Sequence, residues 1–187
     1  CGGAFQILAM MIMFPILRKF MNTMKIFTVS FIMSFVGYII ILILSASGTS
    51  NVYLLLIPAF LIMSSIGMLN VVLTIFLANT VDYGELKNGR RDESVIFSMQ
   101  TFVVKLASGV SALVASIVLT IFNIQKDDTG VLATLSEGQR LGLRGSMTLL
   151  PIAVLIIGYV VYKKNYILTD EKLVEISDEL DKRRQRA

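Results

Sequence analysis

One lysine, Lys105, lies inside a long apolar segment. The nearest other charged residues, Glu93 and Lys126, flank this segment. We predict a helix from residue 95 to 122, which places the lysine about 11 residues from its start, or roughly 16 Å deep. If the helix crosses a bilayer, an ammonium group at this depth is costly and by default marks a substrate or ion pathway. The structural alternative is a lysine that pairs with a buried carboxylate and only joins helices, but none of the predicted apolar segments contains such a carboxylate.

Polar side chains surround Lys105 at helical spacing. Thr101 precedes it by one helical turn, and Gln100 and Val104 lie on a neighbouring strip of the same helix. This pattern predicts one wall of a cavity, and tight packing against another helix is the alternative. In an earlier apolar segment, Asn70 is a second candidate, because its amide either hydrogen-bonds a ligand or bonds across helices.

The distribution of charge sets the class of protein that must position these residues. The chain has 187 residues, of which 55% are apolar and 16% are charged, whereas an average soluble domain is about one quarter charged. Residues 26–77 and 106–125 contain no Asp, Glu, Lys or Arg. A soluble enzyme, a nucleic-acid-binding protein or a disordered tail does not have this pattern. The sequence therefore predicts an all-α integral membrane protein, and no nucleic acid is expected among its partners.

Five segments are candidates for transmembrane helices, which need about 20 residues to cross the bilayer. Ser136 and Gln139 have the spacing of a capping box that starts the last helix before residue 147. The chain begins inside an apolar segment without an initiator Met, so we expect it to be part of a longer protein. The five segments are residues 1–17, 26–44, 53–77, 95–122 and 147–162.

Basic residues set the expected orientation. Thirteen of the 17 lysines and arginines lie in residues 18–25, 79–94 and 163–187, and such residues are concentrated in cytoplasmic loops. We expect a multi-pass protein of the cell membrane with a cytoplasmic C-terminus. Residues 1–168 form the helical bundle in this scheme, and residues 169–187 form a cytoplasmic amphipathic tail. Its apolar face, formed by Leu173, Ile176 and Leu180, is expected on the membrane surface or in solvent, with a regulatory partner as the alternative.

The side chains that most often serve in catalysis and metal binding, histidine and cysteine, are absent or nearly absent from the sequence. The sequence has no histidine and one cysteine, Cys1, so a Cys/His zinc site and His-based nucleophilic catalysis have no ligands or base. We therefore expect no catalytic residues, no bound metal and no cofactor.

Resemblance to a known family rests on a run of charged residues and its spacing to Lys105. The arrangement resembles the signature of the glycoside-pentoside-hexuronide:cation symporters, the melibiose-permease-like branch of the major facilitator superfamily. Without this resemblance, the run is a polar turn between two membrane helices and names no function. It contains Asp82, Tyr83, Gly84, Glu85, Lys87, Gly89, Arg91 and Glu93, followed by Ser98, Gln100, Thr101, Val103, Val104 and Lys105.

The resemblance implies two six-helix halves with a sugar between them, of which this chain is the last five helices. Lys105, Thr101, Gln100 and Val104 are then the wall of the sugar site, and Asn70 corresponds in some members to an aromatic residue that covers the sugar. The coupling Na⁺ or H⁺ binds mainly to the N-terminal half. A cytoplasmic ion-pair gate is expected from Asp82, Glu85 and Arg91, with Tyr83 and Glu93 beside them.

The implied function is movement of a sugar or glycoside into the cell together with Na⁺ or H⁺, by alternating access. The implied partners are the lipid bilayer, the sugar and the N-terminal half of the same protein. The alternative is a membrane-embedded structural or assembly subunit, in which Lys105 pairs with an acid of another protein.

Overall fold

The computed structural model describes residues 2–47, 52–124 and 135–186, and this part of the chain is helical without strands. Within these residues, seven α-helices and one π-helical turn follow one another. They are α1 (Gly2–Leu8), the π-helical turn (Ala9–Met13), α2 (Phe14–Phe20), α3 (Thr23–Ala46), α4 (Val52–Asn88), α5 (Glu93–Ile121), α6 (Glu137–Asn165) and α7 (Asp170–Arg186).

Four of the helices, α3, α4, α5 and α6, are long and apolar enough to cross a membrane within the described residues. The all-helical prediction is thereby confirmed, but the predicted count of five crossings is not. The first predicted span is divided by the π-helical turn into two α-helices of seven residues each. A π-helical turn is a local change in the backbone hydrogen-bond pattern, and the apolar composition of the segment does not reveal it.

The polar turn predicted for residues 79–94 is mostly helix. Helix α4 continues to Asn88 and has 37 residues, or roughly 55 Å at 1.5 Å per residue, which exceeds the hydrocarbon thickness of about 30 Å. The chain turns only at Gly89, whose φ of +68° suits glycine. The backbone N–H of Gly89 donates to the carbonyl of Glu85 at 2.9 Å and closes the helix. Residues expected in a loop therefore occupy a rigid helix end.

Helix α6 begins where the capping box predicted. The backbone N–H of Gln139 donates to Ser136 Oγ at 3.3 Å, and the backbone N–H of Ser136 donates to Gln139 Oε1 at 2.9 Å. The amide of Gln139 also donates to the carbonyl of Phe122 at 2.9 Å, at the end of α5. One side chain thus satisfies groups at both ends of the connection between α5 and α6.

Helices α3 and α4 pack closely through small polar side chains. Ser34 Oγ and Ser65 Oγ lie 2.6 Å apart, and Ser65 also donates to the carbonyl of Ser30. All three serines are buried. In a lipid environment, helices associate through such small side chains and interhelical hydrogen bonds rather than through the hydrophobic effect.

Aromatic rings join the start of α3, the middle of α4 and the end of α6. Phe27 lies 5.4 Å from Phe76 and 4.1 Å from Tyr162, measured between ring centroids. Tyr166 lies 4.6 Å from Phe76. This cluster fixes the three helices relative to one another near the end of α4 that carries the charged residues.

Candidate functional site

Arg91 is the centre of an ion-pair cluster at the junction of α4 and α5. Its Nη1 lies 2.7 Å from Glu85 Oε2 and 3.0 Å from Asp82 Oδ1, and its Nε lies 3.2 Å from Glu93 Oε2. Asp82 and Glu85 are one helical turn apart on α4 and therefore share a face. Arg91 follows Gly89 in the short connection, and Glu93 is the first residue of α5. The cluster thus joins two long helices across their connection.

The electrostatics of the cluster favour a charged arginine at every physiological pH. Hydrogen bonds to Glu85, Asp82 and Glu93 raise the pKa of the Arg91 guanidinium. The side chain of Glu85 is the least exposed of the four at 19%, whereas that of Arg91 is 45% exposed. An exposed cluster of this kind is in contact with water and adds little static stability.

Tyr83 faces a different part of the structure. It packs with Leu86 and Tyr166 against an apolar cluster at the base of α7, formed by Leu168, Ile176 and Leu180. Of the five residues predicted for the gate, Asp82, Glu85, Arg91 and Glu93 are therefore together, and Tyr83 lies outside their ion-pair cluster. Its aromatic ring is 6.0 Å from the ammonium of Lys87.

Helix α7 is docked on the end of α4 rather than lying free. Ile176 and Leu180 are buried, as the amphipathic pattern predicts for an apolar face. Arg183 Nη1 donates to the carbonyl of Leu86 at 3.0 Å, near the C-terminal end of α4. At the start of α7, Asp170 Oδ2 accepts a hydrogen bond of 2.7 Å from the amide of Asn22. The composition of the tail could not reveal this docking, because the contact surface is about 90 residues away in the sequence.

Lys105 lies near the middle of α5, and α5 has no buried residue along its 29 residues. In the described part of the chain, the Lys105 ammonium forms neither a hydrogen bond nor an ion pair. Leu113 and Phe102 are among the largest exposed side chains of the helix, at 65% and 60%. A helix this apolar with a central lysine requires either lipid or further protein around it, and the lysine excludes lipid as its sole neighbour.

The other predicted sugar-site residues lie on two helices. Thr101 and Val104 are exposed beside Lys105 on α5, and Gln100 is half-buried. Thr101 Oγ1 donates to the carbonyl of Phe97 at 3.0 Å, which leaves its lone pairs free to accept. Asn70 is exposed on α4, and the described structure contains no hydrogen bond between Asn70 and Lys105. Asn70 thus lies on α4, whereas the other four predicted residues lie on α5.

Comparison with known proteins shows which family and which relatives the chain is similar to. Residues 2–169 match the family described as MFS/sugar transport protein. The chain is 28% identical to a lactose permease of Lactobacillus delbrueckii subsp. bulgaricus over 168 residues, which is 90% of this chain and 26% of the permease. It is 27% identical to a raffinose carrier protein of Pediococcus pentosaceus over 170 residues, or 91% of this chain and 26% of the carrier.

A third relative is an uncharacterized symporter, YjmB, of Bacillus subtilis. It is 30% identical over 131 residues, which cover 70% of this chain and 28% of the symporter. The chain thus spans about a quarter of the length of the relatives that it matches.

Proposed function

Because the chain belongs to the MFS/sugar transport protein family, we propose that it is part of a secondary active transporter that moves a sugar or glycoside into the cell. The expected resemblance to the glycoside-pentoside-hexuronide symporters is confirmed by the family match and by the permease relatives. The chain is a multi-pass membrane protein and not an enzyme. The substrates in the names of its relatives, lactose and raffinose, make an oligosaccharide the first candidate cargo.

The observation that carries the proposal is the central lysine on an uncovered helix. Sugars present hydroxyl groups, and an ammonium donates up to three hydrogen bonds to such oxygens. Thr101 and Gln100 add further donors and acceptors on the same helix, and Val104 offers an apolar contact. Asn70 completes the site only if the complete transporter brings α4 and α5 to the same cavity. In alternating access, such a site lies near the bilayer midplane between the two halves.

The Arg91 cluster is the second part of the proposed mechanism. Asp82, Glu85 and Glu93 hold Arg91 at the end of α4, and we assign this end to the cytoplasmic side because basic residues concentrate there. A cluster that is intact in one conformation and disrupted in the other stabilises one conformation differentially, which is the requirement for shifting such an equilibrium. Tyr83 supports this gate indirectly through its packing against α7. In the same scheme, α7 is the cytoplasmic tail.

Coupling to Na⁺ or H⁺ completes the proposal. In this proposal, the chain contributes five membrane crossings to the transporter, and residues 2–20 form the first of them. The coupling cation binds mainly to the N-terminal half of the transporter, and Lys105 approaches the carboxylates of that site.

Uptake measurements on the complete transporter test the proposal. Proteoliposomes are supplied with radiolabelled lactose, raffinose and a panel of glycosides, with the Na⁺ gradient varied at fixed pH and the pH gradient varied at fixed Na⁺. Uptake of at least one sugar that depends on one of the two gradients is the expected result. Absence of cation-dependent uptake for every sugar, with protein that binds none of them, would contradict the proposal and favour a structural subunit.

A further inference from the structure

An apolar groove of about 310 Å³ lies between α3 and α6. Ile32 and Val160 in its walls are each 56% exposed, so the groove is open at the surface of the described structure. Its volume falls at the lower end of the range for small-molecule sites, but it lacks the convergent polar groups that a sugar needs. The walls are formed by Phe31, Ile32 and Phe35 of α3 and by Leu155, Tyr159 and Val160 of α6.

The two helices that form the groove run in opposite directions. The ring of Phe31 lies 5.7 Å from that of Tyr159, and the ring of Phe27 lies 4.1 Å from that of Tyr162. Residue numbers therefore fall along α3 as they rise along α6. The start of α3 and the end of α6 consequently lie at the same level, at one end of the groove.

Three lysines lie at this end and continue the rows of groove-lining residues. Lys25 precedes Ile32 by seven residues, or two helical turns, and therefore shares its face. Lys163 follows Tyr159 by four residues, and Lys164 follows Val160 by four. At 1.5 Å per residue, the two α6 lysines lie about 6 Å beyond the aromatic and aliphatic lining, within reach of a flexible lysine side chain.

The positive charge at this end is not neutralised by ion pairs. All three lysines are exposed, and none of them pairs with a carboxylate in the part of the chain that the structure describes. The first acids after α6 are Asp170 and Glu171, and Asp170 already accepts a hydrogen bond from Asn22. An apolar groove that ends in three free cations is complementary to a molecule with an apolar chain and an anionic head.

We propose that the α3–α6 groove binds one anionic phospholipid, with an acyl chain along the groove and the phosphate on Lys25, Lys163 and Lys164. The lipid comes from the leaflet next to these lysines, where a basic residue near the surface attracts anionic headgroups. The site requires only that α3 and α6 cross a membrane. It is therefore independent of the proposed sugar transport, and either can fail without the other.

Native mass spectrometry of the complete transporter in detergent tests the site. The probes are dioleoyl phosphatidylglycerol and dioleoyl phosphatidylcholine, which share their chains and differ in charge. We expect one phosphatidylglycerol to bind with higher affinity than phosphatidylcholine, and Lys163→Gln/Lys164→Gln to remove this preference. The expected loss in affinity is about thirtyfold, because two lysines at roughly 1 kcal/mol each contribute about 2 kcal/mol.

Matched variants separate the groove from general surface charge. Lys172→Gln/Lys182→Gln, two exposed lysines on α7, should leave the preference within twofold of the wild type. Leu155→Trp fills the groove and should weaken binding of both lipids, whereas Val154→Trp, at a position 68% exposed outside the groove, should not.

Two results would overturn the proposal. If the wild type binds the two lipids equally, the lysines do not select a headgroup, and this result requires no variant. A loss of thermal stability in Leu155→Trp with unchanged lipid binding would show that another helix of the transporter occupies the groove. Sugar uptake measured on the same variants shows separately whether transport survives the loss of the lipid.

Discussion

Lys105 illustrates how a single side chain can define the environment that it needs. Its helix has no buried residue in the described structure, yet an ammonium group near a bilayer midplane is tolerated only if it is hydrated or paired. The residue therefore requires a polar surrounding that α5 itself does not supply. A hydrated sugar cavity meets this requirement, and so does a buried carboxylate from another part of the transporter.

Substitution of Lys105 distinguishes these two surroundings. In the complete transporter, Lys105→Ala should lower sugar affinity about tenfold or more, the scale of a charge-assisted hydrogen bond worth roughly 1.5–3 kcal/mol. The melting temperature should stay near that of the wild type, because no buried acid is left unpaired. Lys105→Arg should not restore full affinity, since a planar fork replaces a compact charge. Sugar binding and melting temperature are measured on the same purified variant, and a folding defect without a separate loss of binding would place Lys105 in the scaffold.

Arg91 is the second residue whose contacts lead to a prediction. Arg91→Ala removes the ion pairs with three carboxylates at once. It should change the balance between inward-open and outward-open states while sugar affinity is retained. Cysteine probes at both ends of the helices report this balance through their rates of labelling.

The neighbouring arginine provides the control. Among the described residues, Arg90 forms an ion pair with Asp92 only, and its side chain is 81% exposed, so Arg90→Ala should leave labelling and transport unchanged. Identical labelling patterns for the two variants would contradict a gating role for the Arg91 cluster.

Among the elements, α4 connects the packing of the bundle to the charged cluster. Its first half packs against α3 and the N-terminal helix, and its last turns carry Asp82 and Glu85 on one face and Tyr83 and Leu86 toward α7. The helix is continuous from Val52 to Asn88, so both sets of contacts belong to one element. Two substitutions test the contacts of this helix, one at Gly67 within α4 and one at Ile176 of α7, which docks on the end of α4.

Gly67 allows the close approach of α4 to α1. A Cβ at this position would lie 2.6 Å from the backbone oxygen of Gln6, so Gly67→Ala forces the helices apart. We expect a loss of about 1–3 kcal/mol in unfolding free energy, as for other overpacked sites, read out as a lower melting temperature. At Gly158 on α6, a Cβ meets nothing nearer than the Phe31 ring at 4.0 Å. Gly158→Ala should therefore be neutral or slightly stabilising, and equal melting temperatures for both variants would refute the argument.

Docking of α7 depends on its buried apolar face. Ile176 is 6% exposed and Val174 is 62% exposed, so Ile176→Asp should release the helix and Val174→Asp should not. Burial of an unpaired carboxylate is costly enough to favour the released state. Hydrogen exchange of the α7 amides is the measurement, with faster exchange expected for Ile176→Asp alone. Unchanged protection in that variant would mean that α7 is held mainly by its polar contacts.

At the scale of the whole molecule, the chain is short relative to the permeases that it resembles. It spans about a quarter of the length of its permease relatives, and α5 lacks any buried residue within the described structure. Under the proposed function, we predict that the 187-residue chain, reconstituted alone, shows no cation-coupled sugar uptake, because it supplies only one wall of the proposed site. The complete transporter at the same protein-to-lipid ratio is the positive control, and uptake by the chain alone would contradict this expectation.

The sequence alone determined the properties that depend on composition and short spacing. The absence of charge in residues 26–77 was sufficient for the membrane class, because hydropathy acts on each segment independently. The capping box of Ser136 and Gln139 and the residues of the apolar face of α7 were also correct, since short spacings define them. The expected location of that face, on the membrane surface or in solvent, was wrong, because it packs against the end of α4. Lys105 and the charged run were visible for the same reason, although their roles in transport stay predictions.

Only the tertiary structure decided which faces meet. The polar composition of residues 79–94 had predicted a turn, but α4 continues as a helix to Asn88. This helix directs Asp82 and Glu85 toward Arg91 and directs Tyr83 toward α7. The contacts between Arg183 and Leu86 and between Asn22 and Asp170 join residues 97 and 148 positions apart. Such contacts depend on the packing of whole helices, because each side chain meets its partner only after the helices between them have taken their places.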